Sequence, residues 1–157
     1  MLTIRRAEPT DAASISEIVC SLAGSLLVDP RGAEASNFYS IMQPERVSAN
    51  LTKHDRFYLV AEVNGLVVGM ILVLNNNYIG QFFVCPSHQR RGVGSALWAA
   101  ALSCATDAGG TGAFTVKSSL QALPIYQRFG FETTSAESVD AGFRFVPMQR
   151  RVPSSAA

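Results

Sequence analysis

The residues best placed to do chemistry are Gln89-Arg90-Arg91-Gly92-Val93-Gly94-Ser95. They follow an apolar run, Ile79 to Val84, that reads as a strand, and they open a run that reads as a helix. The first N–H groups of a helix have no acceptor inside it, and its dipole places partial positive charge at the same end. Gly92 and Gly94 carry no Cβ, so the backbone can come close to an anion there. Arg90 and Arg91 add charge beside it. The combination predicts a site for a phosphate-bearing ligand. Two common phosphate motifs fit poorly: Val93-Gly94-Ser95 lacks the lysine of a P-loop, and no third glycine follows Gly94 as a dinucleotide fingerprint requires.

The elements around this stretch are legible from periodicity and turn chemistry. Leu2 to Ala7 reads as a strand. A helix follows, with Thr10-Asp11 as N-cap and Ile15, Ile18, Val19 and Leu22 on one face. Val28 to Ser36 reads as a loop, and Pro44 opens a second helix. Phe57 to Val63 and Leu66 to Leu74 are strands joined at Asn64-Gly65, a two-residue hairpin signal. Their apolar residues run nearly without alternation, which predicts a sheet covered on both faces. Tyr78 to Val84 is the next strand. The helix after the glycine turn carries Val93, Ala96, Leu97, Ala100, Ala101 and Cys104 on one stripe, and Trp98 and Leu102 fall off it as a second apolar patch. Ala113 to Lys117 is a strand. Ala122, Ile125, Tyr126 and Phe129 share one side of a short helix that Gly130 ends. Phe131 begins a strand, and Phe143 to Met148 is the last. The order is β-α-α-β-β-β-α-β-α-β-β, read as one domain over 1–149 with a frayed tail over 150–157.

Composition narrows the function. The net charge of +1 gives no global attraction to nucleic acid or membrane. Cys20, Cys85 and Cys104 are odd in number and unpaired in spacing, so neither a disulfide framework nor a zinc site is expected. No apolar run reaches membrane-spanning length, and the first residues lack the apolar core of a signal peptide. A cytoplasmic protein without a metal is the expectation.

Val84-Cys85-Pro86 followed by Gln89-Arg90-Arg91-Gly92-Val93-Gly94 resembles the coenzyme A-binding motif of the GCN5-related N-acetyltransferases (GNAT). Ser118 to Phe131 is similar to a second segment of that family, Asn-x-x-Ala-x-x-x-Tyr-x-x-x-Gly-Phe. The element order is similar too, so the resemblance spans nearly the whole chain. It implies the acetyltransferase fold, an α/β (α+β) architecture with a mixed, mainly antiparallel sheet of six to seven strands and about four helices. It implies acetyl-CoA as co-substrate, with the pantetheine arm in a gap between the fourth and fifth strands.

By the same resemblance, backbone groups of Phe82, Phe83 and Val84 bond the pantetheine and thioester. Gln89, Arg90, Arg91, Gly92, Val93, Gly94 and Ser95 hold the pyrophosphate. Tyr126 gives a proton to the departing thiolate, a role that suits a phenol with a pKa of about 10. Ser119 stands where many relatives have a cofactor-contacting asparagine. Phe114 stands on the fifth strand where some protein-acetylating relatives have a glutamate base, and it cannot take a proton. Glu62, His88, His54 and Glu132 are the other candidate bases. Cys85 reads as a small hydrophobe. The resulting expectation is direct acetyl transfer to the primary amine of a small molecule, in a homodimeric enzyme. The rivals are transfer to a protein N-terminus or lysine, and an acyl-CoA-binding sensor.

Overall fold

Strands that are apolar at both alternating sets of positions need cover on both faces. The computed structural model describes residues 1–152 and supplies that cover. In chain order the elements are β1 (Leu2–Arg6), α1 (Ala12–Gly24), α2 (Ala33–Ile41), α3 (Pro44–Asn50), β2 (Arg56–Val63), β3 (Leu66–Leu74) and β4 (Tyr78–Val84). They continue with α4 (Val93–Asp107), β5 (Phe114–Ser118), α5 (Leu123–Arg128), β6 (Glu132–Thr133), β7 (Ser138–Asp140) and β8 (Phe143–Arg150). The sheet runs β1-β2-β3-β4-β5-β8-β6, and β7 pairs with the first residues of β8. Every neighbouring pair is antiparallel except β4 and β5.

Two cores result. Phe57, Leu59 and Ala61 of β2 face α4, where Leu97, Trp98, Ala101 and Ala105 meet Phe114, Tyr126 and Phe131. Tyr58 and Val60 face the other way, toward Ile15, Ile18 and Val19 of α1 and Val47 of α3. The Asn64-Gly65 turn takes φ of 51° and 80°, as a two-residue hairpin demands.

The structure corrects several sequence expectations. Among the described residues the sheet has eight strands and there are five helices. The added helix, α2, occupies part of the expected loop: Gly32 is its N-cap, and only Ala35 within it is buried. Gly24 makes room for it, because a Cβ there would collide with the hydroxyl of Tyr39. The added strand, β7, is wholly exposed and turns into β8 at Ala141-Gly142, where φ is 49° and 86°. Asp11 holds the N-cap position of α1 but does not cap it with its side chain. Its carboxylate instead accepts from Arg5 at 2.8 and 3.0 Å and from the Glu8 N–H at 2.7 Å.

The Trp98–Leu102 patch is not a surface. Trp98 is 6% exposed and packs on Phe114, Phe129 and Phe131, and Leu102 lies against the same core. The α4 stripe is therefore Val93, Leu97, Trp98, Ala101 and Ala105. Ile125 is exposed, and Leu123 takes a place against the core. Arg150, expected in the tail, ends β8 and donates to the carbonyls of Phe129 and Gly112 at 3.2 and 2.6 Å. The tail from residue 153 onward lies outside the described residues.

Candidate functional site

The site is built where β4 and β5 part. They pair only at Tyr78–Thr115 and Ile79–Val116, so β4 runs on from Gly80 to Val84 with no partner on that side. On its other side β4 stays paired with β3, Val84 opposite Gly69 and Phe83 opposite Met70. The N–H of Cys85 donates to the Val68 carbonyl at 2.8 Å. By the alternation of an antiparallel ladder, Phe83 spends its backbone groups on β3, while those of Phe82 and Val84 face the gap. The three residues expected to act through their backbones therefore divide two to one.

Because β4 and β5 are parallel, their C-terminal ends flank the same mouth. On the β4 side lies the basic turn. Arg90 and Gly92 both have positive φ, 62° and 82°, a conformation that costs glycine nothing and other residues more. Gly92 is the N-cap of α4, and no side chain caps it. The first helical bond that closes is from the Ala96 N–H to the Gly92 carbonyl at 3.0 Å. Among the described residues, no backbone N–H from Arg90 to Ser95 has an acceptor. A Cβ on Gly92 would meet nothing within 4 Å, so that position is open. Gly94 looks inward instead: a Cβ there would meet Phe82 and Val84 at 3.8 and 3.9 Å. Val93 sends its side chain into the core, while Ser95, Arg90 and Arg91 are exposed. The Gln89 amide donates to the Val84 carbonyl at 2.9 Å, which fastens the turn to β4.

On the β5 side, the Ser119 hydroxyl accepts the Ala122 N–H at 3.3 Å and helps start α5. That helix carries Tyr126 back to the gap. Phe82 meets the Tyr126 ring edge-on at 6.2 Å and stacks on Phe129 at 6.3 Å. Tyr126 also packs on Phe131 at 5.4 Å and is 6% exposed. Its hydroxyl has no hydrogen-bond partner among the described residues. Burial, with the neighbouring Tyr78 adding to it, pushes its pKa well above the usual tyrosine range. The phenol keeps its proton at any working pH.

The expected bases are scattered. Phe114 is 1% exposed in the α4 core, where a carboxylate would meet no substrate. His54 precedes β2, at the end where Arg56, Leu74 and Tyr78 lie side by side, far along the sheet from Val84. Glu132 on β6 pairs with Gln149, whose other neighbour is Thr115 at the closed end of the gap. Glu62 lies at the correct end but two strands away, held by Arg5 at 3.0 Å. His88 is beside the turn, with its Nδ1 at 2.8 Å from the Ser87 hydroxyl.

Two residues that sequence reasoning passed over lie near β4. Glu17 on α1 is exposed and acts electrostatically on Cys85, the residue that ends β4. Burial, and to a lesser extent Glu17, raises the Cys85 thiol pKa. Gln81 on β4 donates to the Met42 sulfur at 3.4 Å, and its buried carbonyl oxygen has no partner. Neither residue belongs to a motif. Among the described residues no cluster of metal-ligating side chains forms, and no helix is long and apolar enough to cross a membrane.

Residues 26–152 match the model of a family described as an acetyltransferase (GNAT) domain. The uncharacterized N-acetyltransferase YafP of Escherichia coli (strain K12) is 35% identical over 81 residues, which make up 52% of this chain and 49% of that protein. The chain thus matches about half the length of that relative. The PaiA N-acetyltransferase of Thermoplasma acidophilum, solved in complex with coenzyme A, superposes with a TM-score of 0.76 at 14% identity, over 97% of this chain and 99% of that one. The protein yncA of Salmonella typhimurium, solved with its cofactor acetyl-CoA, gives 0.68 at 23% identity, over 100% of this chain and 97% of that one. At these identities the two structures establish a shared fold.

Proposed function

The chain belongs to the GNAT acetyltransferase family, and from that premise we propose that it passes an acetyl group from acetyl-CoA directly to the primary amine of a small molecule. One observation carries the reading. The unbonded N–H groups of Arg90 to Ser95, the free edge of β4 at Phe82 and Val84, and the Tyr126 ring all border one gap. Two proteins of this fold were solved with coenzyme A or acetyl-CoA, which supports the same ligand here.

Each residue then has a task. Backbone N–H groups from Arg90 to Ser95 hold the pyrophosphate, with Arg90 and Arg91 neutralising charge. Gln89 and Gly94 set the turn against β4. Phe82 offers its N–H and carbonyl, and Val84 its N–H, to the amides of the pantetheine arm, the Val84 carbonyl being taken by Gln89, and an N–H here faces the oxygen that gains charge during transfer. Ser119 keeps its hydroxyl hydrogen free to donate to the arm. As the amine nitrogen bonds to the acetyl carbon and the carbon–sulfur bond breaks, Tyr126 gives its proton to the sulfur, and a proton from solvent restores the phenol before the next turnover. The amine loses its own proton to a base or through water, and Glu17, on the helix that crosses the end of β4, is a carboxylate available for this role. Cytoplasmic residence, expected from the sequence, and homodimer formation, expected from the resemblance, accompany the reading.

An acyl-CoA-binding sensor is the rival, favoured by the scattering of the four expected bases. Release of CoA over a panel of polyamines, amino acids, aminoglycosides and peptides separates the two. Turnover of a small amine is expected, with kcat/KM rising toward alkaline pH with an apparent pKa of about 7 to 9. CoA binding without turnover on any amine would establish the sensor, and faster turnover of peptides would move the acceptor to protein.

A further inference from the structure

A cleft of about 250 Å³ opens between the segment that follows α1 and the loop that follows β5. Ser25 to Val28 form one wall, Ser119 to Gln121 the other, and Arg144 of β8 reaches its side. Ser119 places it at the β5 flank of the gap mouth, across from the basic turn at the β4 flank. Ser119 thus belongs both to the cleft and to the flank of the gap in which a ligand held by that turn would lie.

The lining is specific in charge and polarity. Arg144 is its single charged residue, and no carboxylate lines it. The Arg144 Nη1 donates to Glu137 at 2.7 Å, between two half-exposed side chains. The other guanidinium nitrogens have no acceptor among the described residues. Exposed pairs of this kind hold weakly, and a bidentate carboxylate competes well for the same fork. Val28 and Leu120 are 50% and 41% exposed here, apolar surface that neither core covers. A volume below the range of roughly 300–1,000 Å³ usual for drug-sized ligands calls for a small occupant.

We propose that the acceptor is a free amino acid with an apolar side chain, its carboxylate held by Arg144 and its side chain against Leu26, Val28 and Leu120. The amine then points toward the gap. The proposal rests on the transfer reading given above and narrows its substrate. A polyamine would need acidic walls, and a protein N-terminus has no carboxylate so close to its amine.

The test compares leucine with leucinamide as acceptors, each rate expressed per unprotonated amine, in the wild type, Arg144→Gln, Arg144→Lys and Glu137→Gln. A charge-assisted bond lost in a half-exposed site predicts a preference for leucine of about ten- to a hundredfold in kcat/KM. Arg144→Gln brings the ratio near one. Arg144→Lys is intermediate, because an ammonium cannot form the fork. Glu137→Gln raises the ratio by removing the competitor. Equal use of leucinamide by the wild type, or a preference that survives in Arg144→Gln, overturns the proposal. N-acetyl-leucine gives a readout without turnover: it should raise the Tm of the wild type and not of Arg144→Gln. If no amine is acetylated yet this protection depends on Arg144, the transfer reading fails and the cleft assignment stands. If protection is also absent, both fail.

Discussion

Replacing Tyr126 with phenylalanine separates the two things this ring does. The ring packs on Phe82 and Phe131, and phenylalanine keeps both contacts. The hydroxyl bonds to nothing among the described residues, so deleting it strands no partner. The folding free energy should change by less than about 0.5 kcal/mol, within the usual range for a substitution that breaks nothing. Tyr126→Ala would instead cost about 3–5 kcal/mol through the cavity it leaves, and would confuse stability with chemistry. The chemical effect of Tyr126→Phe is large by comparison. Losing a positioned acid slows transfer by roughly 10²-fold or more, equivalent to about 2.7 kcal/mol of barrier. The assay is single-turnover formation of acetylated product with CoA prebound as acetyl-CoA, alongside CoA affinity and Tm. Transfer should fall while the other two hold. Because burial raises the phenol's pKa well above its usual range, wild-type kcat should show no decline from tyrosine ionisation up to about pH 10. An unchanged single-turnover rate in Tyr126→Phe would return this residue to the core and remove it from the mechanism.

Two further outcomes follow from two other polar groups. Arg5 first, and the Glu8 N–H to a lesser extent, hold the Asp11 carboxyl below its ordinary value of 3.8. A lowered folded-state pKa contributes stability that is full above about pH 4 and is lost as pH falls through the lowered value. Asp11→Ala should therefore cost about 2 kcal/mol at pH 7, or roughly 4–8 °C in Tm, and the deficit should shrink toward pH 2; a constant deficit would contradict the pairing. The unpartnered carbonyl of Gln81 costs about 1–3 kcal/mol where it lies. Gln81→Leu should raise Tm by roughly 2–12 °C, and a fall would mean that the carbonyl is satisfied.

Periodicity and turn chemistry made much of this fold legible. Asn64-Gly65 marks its own hairpin, and the two-sided apolar runs of β2 and β3 announce a sheet with a core on each face. The basic turn ahead of α4 is also visible, because glycine and arginine at that spacing have a local physical meaning. What escaped depends on contacts distant in sequence. The α2 segment buries little beyond Ala35, so it has no apolar stripe to read, and its helix forms against Phe143 and the space that Gly24 leaves. The β7 strand has one large apolar residue, Val139, and its turn uses Ala141 where positive φ predicts asparagine or glycine. Trp98 is off the α4 stripe when that stripe is drawn toward the sheet alone. The rings of Phe129 and Phe131 widen the buried face, and no spacing rule contains them. The division of labour among Phe82, Phe83 and Val84 follows from register with β3, and Gln89's hold on Val84 follows from the shape of the turn. Glu17 reaches the end of β4 only through the crossing of α1 over the sheet, so nothing in its local sequence marks it.

The central claim is that one ligand bridges the open turn and the free edge of β4. Backbone hydrogen exchange with and without coenzyme A, resolved to single amides, tests it most directly. Exchange should slow at the N–H groups of Arg90 to Ser95 and at Phe82 and Val84, with Phe83 unchanged because its N–H is already spent on β3. Protection confined to other segments, or none at saturating coenzyme A, would contradict it.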